Sequence, residues 1–228
     1  MPGSVKKKKA EPKPFAVADV SRKPQQGRSL ASLKRMLEAA RDLMLERGNE
    51  EFTLQEVSER GQVSIGSIYL RFESKDNLVR GVIAESLEAL AEEESALVQR
   101  LNEGCSDLTS FMFEYVEGYA EVLRKHAPLL RLTMERAEYD PQVAMPGKQH
   151  ALRAETEATQ AMLAHTDEFG GDGPDDHKVK AQSGYHVIFA TLARQLSLGS
   201  SGEAVHAYDW NQMKRELARM CVAYLRAD

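Results

Sequence analysis

The stretch from Thr53 to Leu78, TLQEVSERGQVSIGSIYLRFESKDNL, packs three helix starts into very few residues, which leaves room only for tight turns between them. Thr53 and Glu56 are spaced as a capping box, and Leu54 and Val57 supply an apolar face to the first short helix. Gly61 offers a residue tolerant of positive φ at the turn. Ser64 is a good N-cap for a second short helix, with Ile65, Ile68 and Phe72 on its apolar side. Ser74 starts a third helix and sets Asp76 in its first turn, where the helix dipole favours an anion. A helix, a short turn and a second helix that begins with small residues is the geometry that enters a DNA major groove.

The rest of the chain reads as helical too. A helix from near Ser29 to Arg47 carries Leu30, Leu33, Leu37, Ala40 and Met44, and Gly48 stops it. A long helix from Lys75 to about Leu101 follows, with Glu92, Glu93 and Glu94 expected on a solvated or elbow face. Beyond Gly104 the spacing predicts one helix ending at Ala127-Pro128, another from Pro128 to about Glu138, and a loop through Asp140-Pro141 and Met145-Pro146-Gly147. A helix over about 148–169 then ends at the Gly170–Pro174 breaker. Helices over about 175–198 and 206–226 come last, divided by Gly199-Ser200-Ser201-Gly202. The fold class is therefore all-α, with about nine helices and no credible strand.

Charge is unevenly placed. Residues 1–35 hold ten basic and two acidic residues, +8 in a chain of net charge −5, so residues 36–228 carry −13. A basic end on an acidic body points to a polyanionic partner at that end. Residues 1–27, rich in Lys, Pro and Gln, read as a disordered arm that either follows DNA phosphates or is only a solvated leader. No apolar run approaches the roughly 20 residues that span a bilayer, and the cytoplasm is the expected compartment. Cys105 and Cys221 have no metal spacing, the six histidines form no catalytic motif, and no phosphate loop occurs. Neither a metal nor a cofactor is expected, and the chain is not read as an enzyme.

Gly48, Thr53-Leu54, Val57, the run Val63-Ser64-Ile65-Gly66-Ser67-Ile68-Tyr69, Phe72, Ser74-Lys75 and Leu78 resemble the DNA-binding domain of the tetracycline-repressor (TetR) family. The resemblance covers about residues 29–80. It departs from the family at Ser58, where Ala is usual, at Gly61-Gln62, where Ala-Gly is usual, and at Asn49, where an aromatic is common; Phe52 is expected to take over that packing role. The resemblance implies a DNA-binding domain over 28–76 and a ligand-binding and dimerisation domain over 77–228. It also implies a homodimer on a palindromic double-stranded DNA operator and an unidentified small-molecule effector.

Thr53, Ser64, Ile65, Gly66, Ser67, Tyr69, Leu70, Arg71 and Lys75 become the expected DNA-facing residues. Tyr69 and Lys75 resemble the family's phosphate contacts. Arg71 has three readings: a phosphate contact, a guanine reader or a solvated arginine. Ile65 is either a thymine-methyl contact or core. Phe111, Met112, Tyr115, Tyr119, Leu130, Met134 and Met162 are candidates for the effector pocket, with Arg131 or Glu135 as polar anchors. Tyr185, Ile188, Leu192, Met213, Leu217 and Tyr224 are candidates for a four-helix dimer seam. Rival readings are an activator, a regulator that answers to a protein partner, and a helical binding protein or enzyme with a vestigial helix-turn-helix. The clustering of Tyr69, Lys75 and the basic arm argues against the last.

Overall fold

Helix starts fall where short polar side chains close them. Thr53 Oγ1 accepts from the Glu56 N–H at 3.2 Å while Glu56 Oε2 accepts from the Thr53 N–H at 2.8 Å, so the expected capping box is complete. Ser64, Ser74, Asp107, Asp140 and Asp209 cap later helices in the same way. The computed structural model describes residues 16–21, 27–198 and 209–228, and of 27–29 the backbone alone. Among these residues the chain forms α1 (Val17–Val20), α2 (Gly27–Arg47), α3 (Leu54–Arg60), α4 (Ile65–Arg71), α5 (Lys75–Gly104), α6 (Leu108–Ala137), α7 (Pro141–Leu163), α8 (Pro174–Gln195) and α9 (Trp210–Arg226), with one 3-10 turn at Thr166–Glu168 and no strand. The fold is all-α, as the sequence predicts.

The α3–α4 turn is built differently from the expectation. Gly61 sits at φ −78°, in the ordinary helical region, and the positive φ of +48° falls on Gln62. Gly61 is required by space instead: a Cβ there would lie 3.0 Å from the carbonyl oxygens of Arg35 and Val57. Ser58, which replaces the usual Ala, donates its hydroxyl to the Val63 carbonyl at 2.6 Å and ties the turn shut. Gly48 does end α2, at φ +65°.

Both interior prolines lie inside continuous helices, contrary to the breaks expected at Ala127-Pro128 and Met145-Gly147. A proline removes one N–H and crowds the carbonyl four residues back. In α6, Pro128 is exposed, so water can reach the carbonyl it leaves unpaired, while Leu123, Ala127, Leu129 and Leu132 anchor the helix on both sides. In α7, Pro146 follows the start so closely that one interior hydrogen bond is lost, and Asp140 and Pro141 fix the first turn. The agreement in helix number is thus coincidental: α6 fuses two expected helices, and α1 is unexpected. Val17 of α1 packs on the N-terminal core, so this part of the segment read as an arm is not structureless. Residues 1–15 and 22–26, and the break at Gly199–Gly202, lie outside the described residues.

Two apolar cores share α5 and α6. The N-terminal core joins Leu37, Met44, Phe52, Val57, Ile68 and Phe72 to Leu78, Val82 and Ile83 of α5, and takes in Leu129 and Leu132 of α6 and Val143 of α7. The C-terminal core gathers the second half of α5, the first half of α6, and α7, α8 and α9. A boundary at 76/77 therefore runs through a continuous core rather than between two bodies. Phe52 is buried there, in the packing role expected of it. Leu30, expected on the apolar stripe of α2, is exposed.

Candidate nucleic-acid interface and inner cavity

On α4 the sequence divides between two sides. Ile68, Arg71 and the capping Phe72 turn inward, and Ser64, Ile65, Gly66, Tyr69 and Leu70 turn outward. Ile65 is 37% exposed, Tyr69 56% and Leu70 66%, an apolar and aromatic surface with no cover among the described residues. Ile65 therefore lies on the outer face and not in the core. A Cβ at Gly66 would meet nothing within 4 Å, so no packing inside the chain asks for glycine there. Ser64 Oγ caps the Ser67 N–H at 3.1 Å and lies 2.7 Å from Ser67 Oγ, which is half-buried.

Arg71 departs from its expected place. It is 8% exposed and turned away from the Tyr69–Leu70 face, because position 71 falls one turn from Ile68 on the inner side of the helix. Lys75, at the start of α5, rests 4.7 Å above the Phe52 ring. Thr53 Oγ1 lies 2.9 Å from Glu56 Oε2, and Glu56 pairs with Arg47. That hydrogen bond from Arg47, followed by those from Thr53, holds the Glu56 carboxyl down at about 2. Residues 36–76 contain nine acidic and five basic residues, a net charge of −4 for this segment.

Beyond this domain, α5, α6, α7 and α8 line a cavity of about 650 Å³. Of the effector-pocket candidates, Tyr119, Leu130 and Met134 line it. Phe111, Met112, Tyr115 and Met162 do not: they are buried in the C-terminal core, where a stripe of Met and aromatics at helical spacing packs against neighbouring helices. Arg131 donates to the Leu196 carbonyl at 3.2 Å, and neither Arg131 nor Glu135 lines the cavity. Glu94 does, at 7% exposure, with its Oε2 3.3 Å from His150 Nε2. Burial pushes Glu94 up to about 8, and burial likewise drives His150 down to about 4, so the two form a neutral pair near pH 7. Tyr119 and Tyr185 bring their hydroxyls within 3.3 Å beside them.

Glu94, expected on a solvated or elbow face, is buried. Its place is nonetheless visible in the spacing Leu87, Leu90, Glu94, Leu97, Leu101, in which it interrupts an otherwise apolar stripe of α5. The dimer candidates need a similar correction. Tyr185, Ile188, Leu192, Met213 and Leu217 are buried within the chain, because α8 and α9 turn their main apolar stripes onto α6 and α7. Of the six, only Tyr224 is exposed; it shares the outer side of α8 and α9 with Val179, Val187 and Met220.

An exposed recognition helix on a tight helix-turn-helix, joined by α5 to a helical body with an internal cavity, defines a DNA-binding regulator of the helix-turn-helix class. Residues 36–82 match the family model for bacterial regulatory proteins of the tetR family. Solved structures agree in fold over most of the chain. A protein from Mesorhizobium loti described as a TetR-family transcriptional regulator aligns with a TM-score of 0.66 at 16% identity, covering 88% of this chain and 96% of its own. A transcriptional regulator from Cytophaga hutchinsonii aligns at 0.61 and 17%, covering 86% and 100%. The TetR-family regulator PfmR of Thermus thermophilus aligns at 0.56 and 16%, covering 85% and 98%. No curated protein matches the chain by sequence. Among the described residues, no helix is long and apolar enough to cross a membrane.

Proposed function

We propose that the chain acts in the cytoplasm as a homodimeric repressor that holds a palindromic operator and releases it when a small molecule fills the cavity. The observation that carries this reading is the path of α5. The helix starts at Lys75 beside the recognition helix, and its middle residues Leu87, Leu90 and Glu94 line the cavity. A molecule that tilts α5 changes the separation of two recognition helices, which must match half-sites about 34–36 Å apart. Ligand then favours the state with the wrong spacing.

DNA contact in this reading divides by chemistry. Ser64, Ile65, Gly66, Ser67 and Leu70 meet the groove, with Gly66 letting the backbone approach closely. Thr53, Tyr69 and Lys75 meet phosphates. The basic residues of 1–35 supply most of the counterion release. The second copy pairs through the outer faces of α8 and α9.

Selection of bound fragments from the source genome by the purified protein, followed by binding at several salt concentrations, tests the reading. A palindromic sequence bound by two chains, with a steep salt dependence, is the expected result. Binding no tighter to any fragment than to random DNA overturns it.

A further inference from the structure

We infer that the cavity takes a weakly hydrated organic cation with an apolar body, such as a quaternary ammonium compound, whose charge sits between the Glu94 carboxyl and the ring faces of Tyr119, Tyr185 and Phe189. This rests on the effector-binding reading above and names the chemistry of the effector. Three observations lead to it.

The wall is apolar over most of its extent, with Leu87, Leu90, Leu123 and Leu130 among its residues, so the body of the occupant is apolar. Apart from Glu94, which holds its proton near pH 7, the charged side chains lining it are Glu138 and Glu155 against Lys148, beside His150 and His186 and with no arginine. A carboxylate or phosphate ligand would enter against that charge and meet no guanidinium fork. Three aromatic residues, Tyr119, Tyr185 and Phe189, also line the cavity. Tyr185 and Phe189 are nearly parallel, with centroids 6.3 Å apart, and Tyr119 lies 6.2 Å from Tyr185. Ring faces hold weakly hydrated cations well, because little hydration is lost when such a cation leaves water.

Among the described residues, Glu94 lacks a permanent cationic partner. His150 lies 3.3 Å from it, and burial keeps that imidazole neutral. The other ionisable groups around the carboxyl are Arg153 and Glu157 from α7, which oppose each other, and Tyr115, Tyr119 and Tyr185 from α6 and α8. An arriving cation supplies the missing charge, and the carboxyl gives up its proton to solvent as the pair forms.

Isothermal titration of the full chain without DNA tests the inference with three probes of one chain length, each below its micelle-forming concentration: dodecyltrimethylammonium, dodecanol and dodecanoate. The ammonium is expected to bind at least about tenfold more tightly than dodecanoate. At pH 7 its apparent enthalpy should vary with the ionisation enthalpy of the buffer, reporting release of about one proton, while dodecanol shows no such dependence. Glu94→Gln, close to isosteric, should weaken the ammonium by about tenfold or more and leave dodecanol within twofold. Dodecanoate binding as tightly as the ammonium, or ammonium binding without proton release in the wild-type protein, overturns the inference. So does an unchanged ammonium affinity in a folded Glu94→Gln protein. Because no DNA is present, a failed operator search leaves these outcomes intact, and a failure here leaves DNA binding to be judged separately.

Discussion

Arg136 donates from Nε to Asp140 Oδ2 at 2.9 Å, one helical turn along the chain, at the junction where α6 ends and α7 begins. The same guanidinium donates to Asp76 at the start of α5, at 2.8 Å, and to Glu50 in the α2–α3 loop, at 2.5 Å. Arg80 joins Asp140 from α5 at 2.8 Å. Burial alone would raise the Asp140 carboxyl, but the hydrogen bonds from Arg80 and Arg136 outweigh it and hold the group below its usual range. One side chain thus binds the DNA-binding domain to the end of α6 and the cap of α7, two helices that line the cavity.

Arg136→Met should therefore do two things. It removes the cation shared by Glu50, Asp76 and a buried Asp140 that keeps Arg80, a loss of about 1–3 kcal/mol, less than that of a buried charge left wholly unpaired. It also loosens the tie between cavity and recognition helix, so effector should shift operator affinity less than in the wild-type protein. Urea unfolding and operator titration with and without effector measure these. Unchanged stability together with unchanged coupling would show the network to be ornamental.

Gly66→Ala separates fold from recognition. The added methyl meets nothing inside the chain. An alanine in a helix is more stable than a glycine by about 0.5–1 kcal/mol. Thermal stability should hold or rise slightly while operator affinity falls, because the methyl stands between the helix and the groove floor. Operator affinity equal to that of the wild-type protein would remove Gly66 from the interface.

How much of this the sequence carries differs by element. The helix-turn-helix was legible because its signals are local: Thr53 with Glu56, Ser64 with Ser67, and Gly48 after Arg47 each act within a turn or two. The turn itself was misread at Gly61, since what requires glycine is the carbonyl of Arg35 on another helix, which no local pattern reveals. Pro128 and Pro146 misled for the same reason, because long-range packing on both sides outweighs one lost hydrogen bond. Periodicity marked the apolar stripes of α6, α8 and α9 correctly but could not say what each stripe faces. Phe111 and Met162 therefore went to a cavity they do not line, and Leu192 and Leu217 to a seam between chains. Glu94 was readable, as the one acid within a leucine stripe.

The burial of Leu192 and Leu217 decides which substitutions report on assembly. Leu192 and Leu217 lie in the chain's own core, so an aspartate at either should unfold the protein rather than split it. Val187 and Met220 are exposed on the outer sides of α8 and α9. Val187→Asp and Met220→Asp should keep full helical content, sediment as monomers, and bind operator weakly because one half-site holds alone. Circular dichroism with sedimentation velocity decides between these outcomes. A Val187→Asp, Met220→Asp double variant that remains dimeric would place the interface on another face.

The neutral Glu94–His150 pair should write its own signature into stability against pH. Glu94, raised from 4.5 to about 8, keeps its proton in the folded protein while the unfolded chain loses it, so its contribution falls as pH rises from 4.5 to 8. His150, lowered from 6.5 to about 4, stays neutral in the folded protein while the unfolded chain takes up a proton, so its contribution falls as pH drops from 6.5 to 4. Between pH 4.5 and 6.5 the two slopes oppose each other and cancel. Between 6.5 and 8 only the Glu94 slope remains, up to about 1.4 kcal/mol per pH unit. Glu94→Gln removes that slope and leaves the histidine's. Denaturation midpoints of both proteins from pH 4 to 9 give the difference directly, with other titrating groups common to the two. The difference should be near zero at pH 4, grow in favour of Glu94→Gln through neutrality, and level off above pH 8. Parallel profiles for the two proteins across pH 5–8 would mean that Glu94 is ionised in the folded state and that its pairing with His150 has been misassigned.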